Sequence, residues 1–396
     1  MSDTRTVADF FAGIGLVSLG LERAGWNTVY ALDYDQEKAN QYAMNFDGNH
    51  YVIKDIAKER GDNVPNVQLA HASFPCTDLS VAGARHGIYE GESSAFWHFV
   101  RILSEMKEKY GDENPNFVLL ENVEGLLTSN NGKDLRAVIE SLNKLGYRAD
   151  LLRINAAHFV PQSRVRIFII GIHKSLVEGY DQNDLRQEFT MRSSNARPQK
   201  IIDYVHNNSD LDWYFHDLPN LPVRTMTLNE VIDTAEEWWP KQRTALLLGQ
   251  LHSYHEDLLE AAKNKDEYSY YPAFRRMRVR DGRKQSTVEL RTDGIAGCLR
   301  TPKGGSARQI LVRAGKDKID ARLINGKEAA LLMGADNYNI HPDFSLNQTL
   351  FGFGDAVCVS VLQWIGDNYL NSIVEVPETT AELNEPPVLS LQNQPA

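Results

Sequence analysis

The sequence is poor in cysteine, with only Cys76, Cys298 and Cys358 among its 396 residues. The three are far apart, odd in number and form no Cys-x-x-Cys pair, so neither a disulfide framework nor a structural metal site is expected. The chain also lacks any run approaching the roughly 18 apolar residues that a membrane span needs. Its first residues do not show the basic-then-apolar pattern of a secretory signal. These absences predict a protein of a reducing intracellular compartment, with no membrane partner and no bound metal.

An excess of positive charge is missing as well, because the formal net charge is −11 at pH 7. The charge is nevertheless uneven. Between Arg275 and Lys318, thirteen basic residues are interrupted by four acidic ones, so this segment carries +9 and the remainder −20. A confined basic segment on an acidic protein is typical of a surface that binds a polyanion. A solvated charged face without a ligand would give the same pattern, and the charge alone does not decide between the two.

Strand-like and helix-like segments alternate over the first 175 residues. This β-α-β order predicts an α/β fold with a doubly wound, largely parallel, Rossmann-like sheet. The alternation stops near residue 186, where a segment richer in Arg, Tyr and Trp begins. The predicted strands are Thr6–Phe11, Thr28–Asp33, Tyr51–Ile53, Leu69–Phe74, Phe117–Glu121, Ala149–Asn155 and Arg166–Ile172.

These changes along the chain predict three parts. Residues 1–185 and 345–372 are expected to form the domain that contains the sheet, and residues 186–344 a smaller, irregular second domain. The tail over residues 373–396 is acidic and contains several prolines, a composition typical of disorder. In an open α/β sheet, ligands bind beyond the carboxyl ends of the strands, so the residues that follow each predicted strand are the first candidates for a site.

The first three predicted strands end in residues suited to a nucleoside. Phe11-Ala12-Gly13-Ile14-Gly15 follows the first strand, and glycines there let the backbone turn tightly and approach a ligand. Asp33 ends the second strand, where a carboxylate can accept hydrogen bonds from a ribose, and Asp55 follows the third. The loop lacks the third glycine of the dinucleotide fingerprint, so adenosine without a pyrophosphate is favoured over NAD.

Later strand ends carry residues suited to catalysis. Cys76 lies just beyond the fourth strand, although a cysteine alone is more often a small buried apolar residue than a nucleophile. Glu121 ends the fifth strand, as either a helix cap or a site carboxylate. Arg164 and Arg166 alternate at the start of the seventh, and in extended backbone they would project to the same side as a pair of anion clamps.

Taken in order, these motifs make the chain resemble the C5-cytosine DNA methyltransferases of bacterial and phage modification systems. The resemblance covers residues 5–175 and 320–370 well, and the segment between them lies where the family places its target recognition domain. Eight short motifs in the family's order make the match specific. They are Asp9–Gly15, the acid Asp33, Asp55-Ile56, Phe74–Cys76, Ser93–Trp97, Glu121–Val123, Gln162–Arg166 and Phe351–Val357.

The resemblance implies an enzyme that transfers a methyl group from S-adenosyl-L-methionine to carbon 5 of cytosine. Cys76 would attack C6 of a base flipped out of the duplex, and Glu121 would hold the N3 edge of that base. Arg164 and Arg166 would position the base and orient Glu121 or Cys76. The residues expected to bind the cofactor are Phe11, Gly13, Ile14, Gly15, Asp33, Asp55, Ile56, Pro75, Asp355 and Val357.

Two departures from the family's pattern are visible. Asp355 stands where the last motif commonly has Asn, which places a charge beside the expected cofactor, and residues 157–161 are one glycine short of the usual form. Core packing explains Phe11 and Ile56 equally well. A turn at the end of a strand is the corresponding alternative for Asp33 and Asp55.

The resemblance also implies double-stranded DNA as the partner, with sequence read by the basic second domain. Loop Gly304–Gln309 is the candidate for base contacts, and clamping of the DNA backbone is an equal alternative. The expected DNA contacts are Ser80, Gln162, Arg300, Lys303, Arg308 and Gln309.

A monomer is expected, in the bacterial cytoplasm or on the nucleoid, and a restriction endonuclease for the same DNA site is a candidate partner without a stable complex. Three alternatives stay open. An RNA cytosine methyltransferase on the same scaffold would have a smaller variable segment than the stretch between Arg166 and Arg322. A catalytically inactive DNA-binding relative would have lost Cys76 or Glu121. A nicotinamide dehydrogenase would need the missing glycine.

Overall fold

The computed structural model describes residues 5–75, 87–89, 91–112, 114–280, 282–302 and 308–374. Two β-sheets are present in these residues. The strands are β1 Thr6–Phe10, β2 Asn27–Asp33, β3 Tyr51–Ile53, β4 Leu69–Ala72, β5 Phe117–Val123, β6 Tyr147–Asn155, β7 Val165–His173, β8 Ser269–Arg280, β9 Arg283–Leu290, β10 Ile310–Gly315 and β11 Lys318–Leu323.

The helices lie between these strands and after the last of them. Several begin at recognisable caps: Asn325 with Glu328, and Ser345 with Gln348, form reciprocal capping boxes. The α-helices are α1 Leu16–Arg23, α2 Gln36–Tyr42, α3 Ala95–Tyr110, α4 Lys133–Lys144, α5 Leu185–Arg192, α6 Gln199–His206, α7 Leu228–Val231, α8 Lys241–Leu248, α9 Ser253–Lys263, α10 Gly326–Leu332, α11 Leu346–Asp355, α12 Val359–Ile365 and α13 Asn371–Val374.

The larger sheet has the strand order β3-β2-β1-β4-β5-β7-β6. β1 to β5 pair in parallel, whereas β7 runs antiparallel to both β5 and β6. The prediction of a doubly wound, largely parallel sheet is confirmed, and each predicted strand lies within two residues of the observed one. β1 ends one residue early because Phe11 has a left-handed backbone conformation, with φ of 62°. The reversal of β7 brings its first residues to the edge where β1, β2, β4 and β5 end.

Both faces of this sheet are covered, which explains why its strands are continuous apolar runs. On one face, α1 and α12 pack on each other and on the strands, and bury Leu21 and Leu362. On the other face lie α3, α4 and α6. α3 is typical of these helices, because its apolar side chains recur every three or four residues and form one buried stripe. The members of that stripe are Phe96, Phe99, Ile102, Leu103 and Met106.

The sequence suggests an irregular second domain, but the structure shows regular secondary structure there. It contains an antiparallel sheet of order β11-β10-β8-β9, and α8 and α9 pack on that sheet around a separate apolar cluster. Leu247, Leu259 and Val312 are among its buried members. The sheet escaped prediction because the outer halves of β8 and β9 carry exposed basic residues instead of alternating apolar and polar ones.

The predicted domain boundaries do not coincide with the limits of these clusters. α6, Trp213 and Phe215 pack on the larger sheet, and the buried side chain of Arg197 donates two hydrogen bonds to Asp150 of β6, at 2.9 and 2.5 Å. α10 likewise packs on the other face of that sheet. We therefore propose that the second domain extends from about residue 239 to about residue 323, the limits of its own cluster.

The segment Leu346–Val374 is long and apolar enough by composition to cross a membrane. Within the protein it forms α11, α12 and α13, and 72% of its most apolar window is buried. Its apolar character is therefore explained by packing, since α12 packs against α1.

Candidate active site

A cavity of about 290 Å³ lies at the edge of the larger sheet where β1, β2, β4 and β5 end and β7 begins. α11 and the turn after it form the opposite wall. This is the position at which open α/β sheets bind ligands. Ten of the residues proposed from the sequence line the cavity, and they are Phe11, Gly13, Ile14, Asp33, Pro75, Glu121, Arg164, Arg166, Asp355 and Val357.

The loop after β1 is held to the end of β2 by a carboxylate. Asp33 accepts hydrogen bonds from the backbone N–H groups of Gly13, at 3.0 Å, and Asp35, at 3.1 Å. Burial raises the pKa of Asp33, although Lys38 and these two N–H groups oppose the shift. Gly15 does not line the cavity: a Cβ atom there would lie 2.5 Å from the ring of Phe46, so this glycine serves close packing.

Asp55 and Ile56 do not border the cavity either. Asp55 is exposed and accepts a hydrogen bond from the N–H of Ala57 at 2.9 Å, so it caps a short turn. Ile56 is buried in the apolar cluster beneath α3. For both residues the alternative interpretation, a turn and core packing, describes the geometry. Tyr34 and Lys38, which the sequence interpretation missed, do line the cavity, and their only signal is proximity to Asp33.

Glu121 and Arg166 form an ion pair within the cavity. Glu121 lies at the end of β5 and is 7% exposed, and Nε of Arg166 lies 2.9 Å from its Oε1. Arg166 also donates to the carbonyl of Val165 at 2.8 Å. The ion pair therefore places the guanidinium of Arg166 against the Glu121 carboxylate.

The segment that leads into Cys76 is fastened at two points. Asn122 donates a hydrogen bond from its side-chain amide to the carbonyl of Phe74 at 3.0 Å. Ser93 donates from its hydroxyl to the carbonyl of Pro75 at 3.0 Å. Cys76 and Ser80 lie outside the described residues. Asn122 belongs to the Glu121–Val123 motif, but it is absent from the site residues that the sequence predicts.

Arg164 is a buried clasp, a guanidinium that holds separate backbone segments together. Its guanidinium donates to the carbonyls of Leu299 at 3.0 Å and Ala356 at 2.6 Å, with two longer contacts of 3.4 Å to Gly354. Only 3% of Arg164 is exposed. It therefore joins β7 to the segment near residue 299 and to the turn that follows α11, chiefly through backbone carbonyls.

Cys298 lies beside both Arg164 and Arg166, and no pattern in the sequence predicts this proximity. Its Sγ is 3.5 Å from Nη1 of Arg164 and 3.9 Å from Nη2 of Arg166. Burial by itself raises the pKa of this thiol, but the guanidinium groups of Arg164, Arg166 and Arg300 outweigh burial and lower it. For the second described cysteine, Cys358, burial outweighs the opposing effect of Arg164 and raises the pKa of the thiol to about 11.

Two residues expected to contact DNA are buried instead. Gln162 is fully buried; its amide donates to the carbonyl of Leu332 at 2.7 Å and accepts from the N–H of Leu299 at 2.9 Å. Gln309 is buried against Gly297. These packing roles leave neither amide open to a duplex. Arg300 is exposed and Arg308 is half-buried, whereas Lys303 and residues 304–307 lie outside the described residues.

A two-stranded ribbon projects from the smaller sheet. β8 pairs with β10 only through residues 269–273, and beyond that point it pairs with β9 alone among the described strands. The outer part of the ribbon is exposed on both faces, including Met277 and Val279 at 61% and 69%. Its exposed basic side chains in the described part are Arg276, Arg278, Arg283 and Lys284.

The chain matches known proteins over most of its length. Residues 5–371 match the family described as C-5 cytosine-specific DNA methylase. The chain is 36% identical over 170 residues to the type II methyltransferase M.Bsp6I of Bacillus sp. strain RFL6, covering 42% of this chain and 51% of that one. It is 28% identical over 295 residues to the orphan methyltransferase M.SPBetaI of Bacillus phage SPbeta, covering 62% and 66%. It is 26% identical over 370 residues to the type II methyltransferase M.HhaI of Haemophilus parahaemolyticus, covering 92% and 94%.

The chain thus spans about half the length of M.Bsp6I and just under two thirds of the length of M.SPBetaI. Solved structures show a similar fold. DNMT2 of Spodoptera frugiperda, solved as a mutant, has a TM-score of 0.58 at 15% identity, over 94% of this chain and 100% of that one. The Entamoeba histolytica methyltransferase EhMeth has a TM-score of 0.58 at 13% identity, over 91% and 96%. Because the family match extends over almost the whole chain, this protein belongs to the C-5 cytosine-specific DNA methylase family.

Proposed function

We propose that this chain transfers a methyl group from S-adenosyl-L-methionine to carbon 5 of cytosine within a specific double-stranded DNA sequence. The observation that carries the proposal is the meeting of two sets of residues in one cavity. Phe11, Gly13 and Asp33 line one part of it, and Glu121 and Arg166 line another. Two reactants held side by side in this way are suited to a direct group transfer.

The residues of the first set fit an adenosine-based methyl donor. The cavity volume of about 290 Å³ is near the lower limit of roughly 300 Å³ for small-molecule sites. The Asp33 carboxylate can accept hydrogen bonds from ribose hydroxyls, while Phe11, Ile14 and Val357 supply apolar surface. When bound, the cofactor supplies an electrophilic methyl group on a sulfonium. Gly15, Asp55 and Ile56 would support this site indirectly, through packing and turn formation.

The second set fits a pyrimidine that undergoes nucleophilic addition. Pro75 lines the cavity, so Cys76 would enter next to Glu121. We propose that the thiolate of Cys76 forms a bond to C6 of the cytosine, while Glu121, held by Arg166, binds the N3 edge and balances the charge that develops on the ring. Carbon 5 then becomes enamine-like and takes the methyl group. Loss of the C5 proton and breakage of the Sγ–C6 bond restore the aromatic ring and the free cysteine.

Because C6 is covered in a stacked duplex, the base must leave the helix to reach this cavity. The basic ribbon of β8 and β9 is suited to hold the duplex, since the major groove admits a two-stranded β-ribbon. Arg300 and Arg308 are proposed as further contacts on the same domain. Ser80 and Lys303, which lie outside the described residues, remain proposed DNA contacts, whereas Gln162 and Gln309 are proposed to support the site from within.

The cellular setting is proposed from the relatives, which are bacterial and phage proteins by name. We propose a monomeric modification enzyme of the bacterial cytoplasm or nucleoid. A restriction endonuclease that cuts the same sequence would act as a functional partner without a stable complex.

The test is base-resolution bisulfite sequencing of unmethylated random-sequence DNA after incubation with the protein and S-adenosyl-L-methionine. Cys76→Ser serves as the nucleophile variant and Cys358→Ser as a matched control. Methylcytosine confined to one short motif, absent with Cys76→Ser and retained with Cys358→Ser, is the expected result. Covalent capture on a duplex that carries 5-fluorocytosine is expected to require both Cys76 and the cofactor.

Two results would contradict the proposal. Methylation that persists in Cys76→Ser would exclude the proposed nucleophile. Methylation of RNA but not of duplex DNA, in the same assay, would change the substrate class to an RNA cytosine.

A further inference from the structure

Lys38 and Asp355 form an ion pair across the cavity. Lys38 lies in α2, directly after the Asp33 strand end, and Asp355 is the last residue of α11. Nζ of Lys38 is 3.1 Å from Oδ2 of Asp355, and both side chains line the cavity. The pair joins two walls that are 317 residues apart in the chain.

Each partner lies on a segment that is fixed by other contacts. The carbonyls of Gly354 and Ala356, which flank Asp355, are both acceptors of the buried Arg164 guanidinium. On the other wall, the first turn of α2 is capped by Asp35, and Gln348 of α11 donates to Glu37 at 3.0 Å. The ammonium and the carboxylate are therefore presented at set positions.

Lys38 faces a second carboxylate, that of Asp33. Burial lowers the pKa of Lys38, but Asp33 and Asp355 outweigh burial and raise it. The lysine therefore stays charged, with 16% of its side chain exposed, and it stands between the proposed ribose ligand and Asp355. Without such a counter-ion, the carboxylates of Asp33 and Asp355 would repel each other.

The ion pair also accounts for the departure from the family's last motif, in which Asn is common at the position of Asp355. A neutral amide would remove the carboxylate with which Lys38 pairs and leave the charges of Asp33 and Asp35. With Asp355 present, the ammonium of Lys38 and the carboxylate of Asp355 lie side by side at the wall of the cavity. An α-amino acid carries the complementary pair, a carboxylate and an ammonium, and two charge-assisted hydrogen bonds would hold it in one orientation.

We propose that Lys38 and Asp355 together recognise the zwitterionic amino-acid end of the cofactor, with Lys38 binding its carboxylate and Asp355 its ammonium group. The inference rests on the proposed function, because it assumes that S-adenosyl-L-methionine occupies this cavity. It adds Lys38 to the site. When the cofactor binds, the Lys38–Asp355 pair would be replaced by two ion pairs with the amino-acid end, and a ligand without that end could not form them.

The test measures ligand affinity by isothermal titration calorimetry, without any methylation step. The ligands are S-adenosyl-L-methionine, S-adenosyl-L-homocysteine, and 5′-methylthioadenosine, which has the adenosine and thioether but no amino-acid end. The variants are Lys38→Met and Asp355→Asn, with Lys54→Met as control, since Lys54 pairs with Glu59 outside the cavity. Each cavity variant should bind the first two ligands about ten- to one-hundredfold more weakly, the effect expected for one charge-assisted hydrogen bond. Affinity for 5′-methylthioadenosine should be unchanged.

A bracing variant, Glu37→Ala, separates recognition from simple bracing of α2 against α11, because it removes another contact between these helices, from Gln348 to Glu37. It should lower the melting temperature but leave affinity for S-adenosyl-L-methionine unchanged. Equal losses for all three ligands in the cavity variants, or an equal loss of affinity in Glu37→Ala, would overturn the inference while leaving the proposed function in place. Failure of the wild-type protein to bind S-adenosyl-L-methionine would overturn both.

Discussion

Arg166 and Glu121 meet at 2.9 Å because β7 runs against β5. In the register of this pair, Arg166 stands opposite Val123, two residues beyond Glu121. A parallel β7 would begin at the far edge of the sheet and carry its first arginine away from the cavity. The single reversal in the larger sheet therefore brings a cation from the start of one strand to an acid at the end of another.

Replacing either partner of this pair should slow methylation while preserving cofactor binding. Glu121→Gln removes the charge and the proton-sharing ability of the carboxylate, and a loss of about 10²- to 10⁴-fold in rate is expected. Arg166→Lys keeps the charge but not the planar Nε donor, so a smaller loss should result. The measurement is single-turnover methylation of a hemimethylated or unmethylated duplex. Glu124→Gln, which alters an ion pair with Arg153 away from the cavity, is the control, and an equal effect there would refute a special role for Glu121.

Arg164→Met should lower the free energy of unfolding rather than act on chemistry alone. The change leaves the carbonyls of Leu299, Gly354 and Ala356 without their donor in a buried region, at a cost of about 1–3 kcal/mol for each group left unpaired. Urea denaturation of the full chain would measure the loss. Arg153→Met, at a more exposed ion pair with Glu124, should cost less than about 1 kcal/mol. Similar losses for the two variants would show that the buried clasp contributes little.

The two described cysteines should differ in their reaction with iodoacetamide. The thiolate is the reactive form, and the arginines beside Cys298 lower its pKa, whereas burial raises that of Cys358 to about 11. Peptide mapping by mass spectrometry at pH 7 should therefore find Cys298 modified first in the folded protein, with Cys358 protected until unfolding. Faster labelling of Cys358 would contradict this electrostatic description.

The same shift predicts a pH dependence of stability. The folded state lowers the pKa of Cys298 below its ordinary value of 9.0, so its contribution is fully present above pH 9 and is lost as the pH falls through the lowered folded value. The difference in free energy of unfolding between the wild type and Cys298→Ser should thus grow as the pH rises from 7 toward 9.5. A difference that shrinks over that interval would mean that the thiol is not stabilised as a thiolate.

The basic ribbon should contribute to DNA affinity in a salt-dependent way. Arg283→Gln and Lys284→Gln each remove one exposed charge, and removing a cation that binds one phosphate should reduce the slope of log K against log salt by about 1. Fluorescence anisotropy with one duplex over a range of salt concentrations would measure it. Lys241→Gln, an exposed lysine of α8 outside the ribbon, should leave the slope unchanged. An unchanged slope in the ribbon variants would place the duplex elsewhere.

Residues at strand ends could be predicted from the sequence, because an apolar run that stops at Gly, Asp, Glu or Arg marks both the strand and its edge. That logic located the loop after β1, Asp33, Glu121 and Arg166. It could not separate a polar side chain that lines a cavity from one that is buried by distant segments. Gln162 packs against Leu332 and Leu299, and Gln309 against Gly297, and the sequence carries no sign of such contacts.

Ion pairs between residues far apart in the chain could not be predicted from the sequence for the same reason. Lys38 and Asp355 are separated by most of the chain, and neither belongs to a local pattern that requires the other. Asp55 shows the opposite difficulty, since an aspartate before a turn and an aspartate before a ligand are identical in sequence. Its capping bond to Ala57 is visible only in three dimensions.

The contacts of Arg164 also determine the stage of chain synthesis at which the site can form. Its guanidinium reaches Gly354, which the ribosome adds 190 residues later. Until that stretch has left the exit tunnel, the nascent chain has a cavity with one wall missing, and Arg164 lacks its acceptors at Gly354 and Ala356. Truncated translation products that stop before the turn after α11 are therefore expected to lack a complete cavity, so the site can form only once nearly the whole family-matched segment has been made.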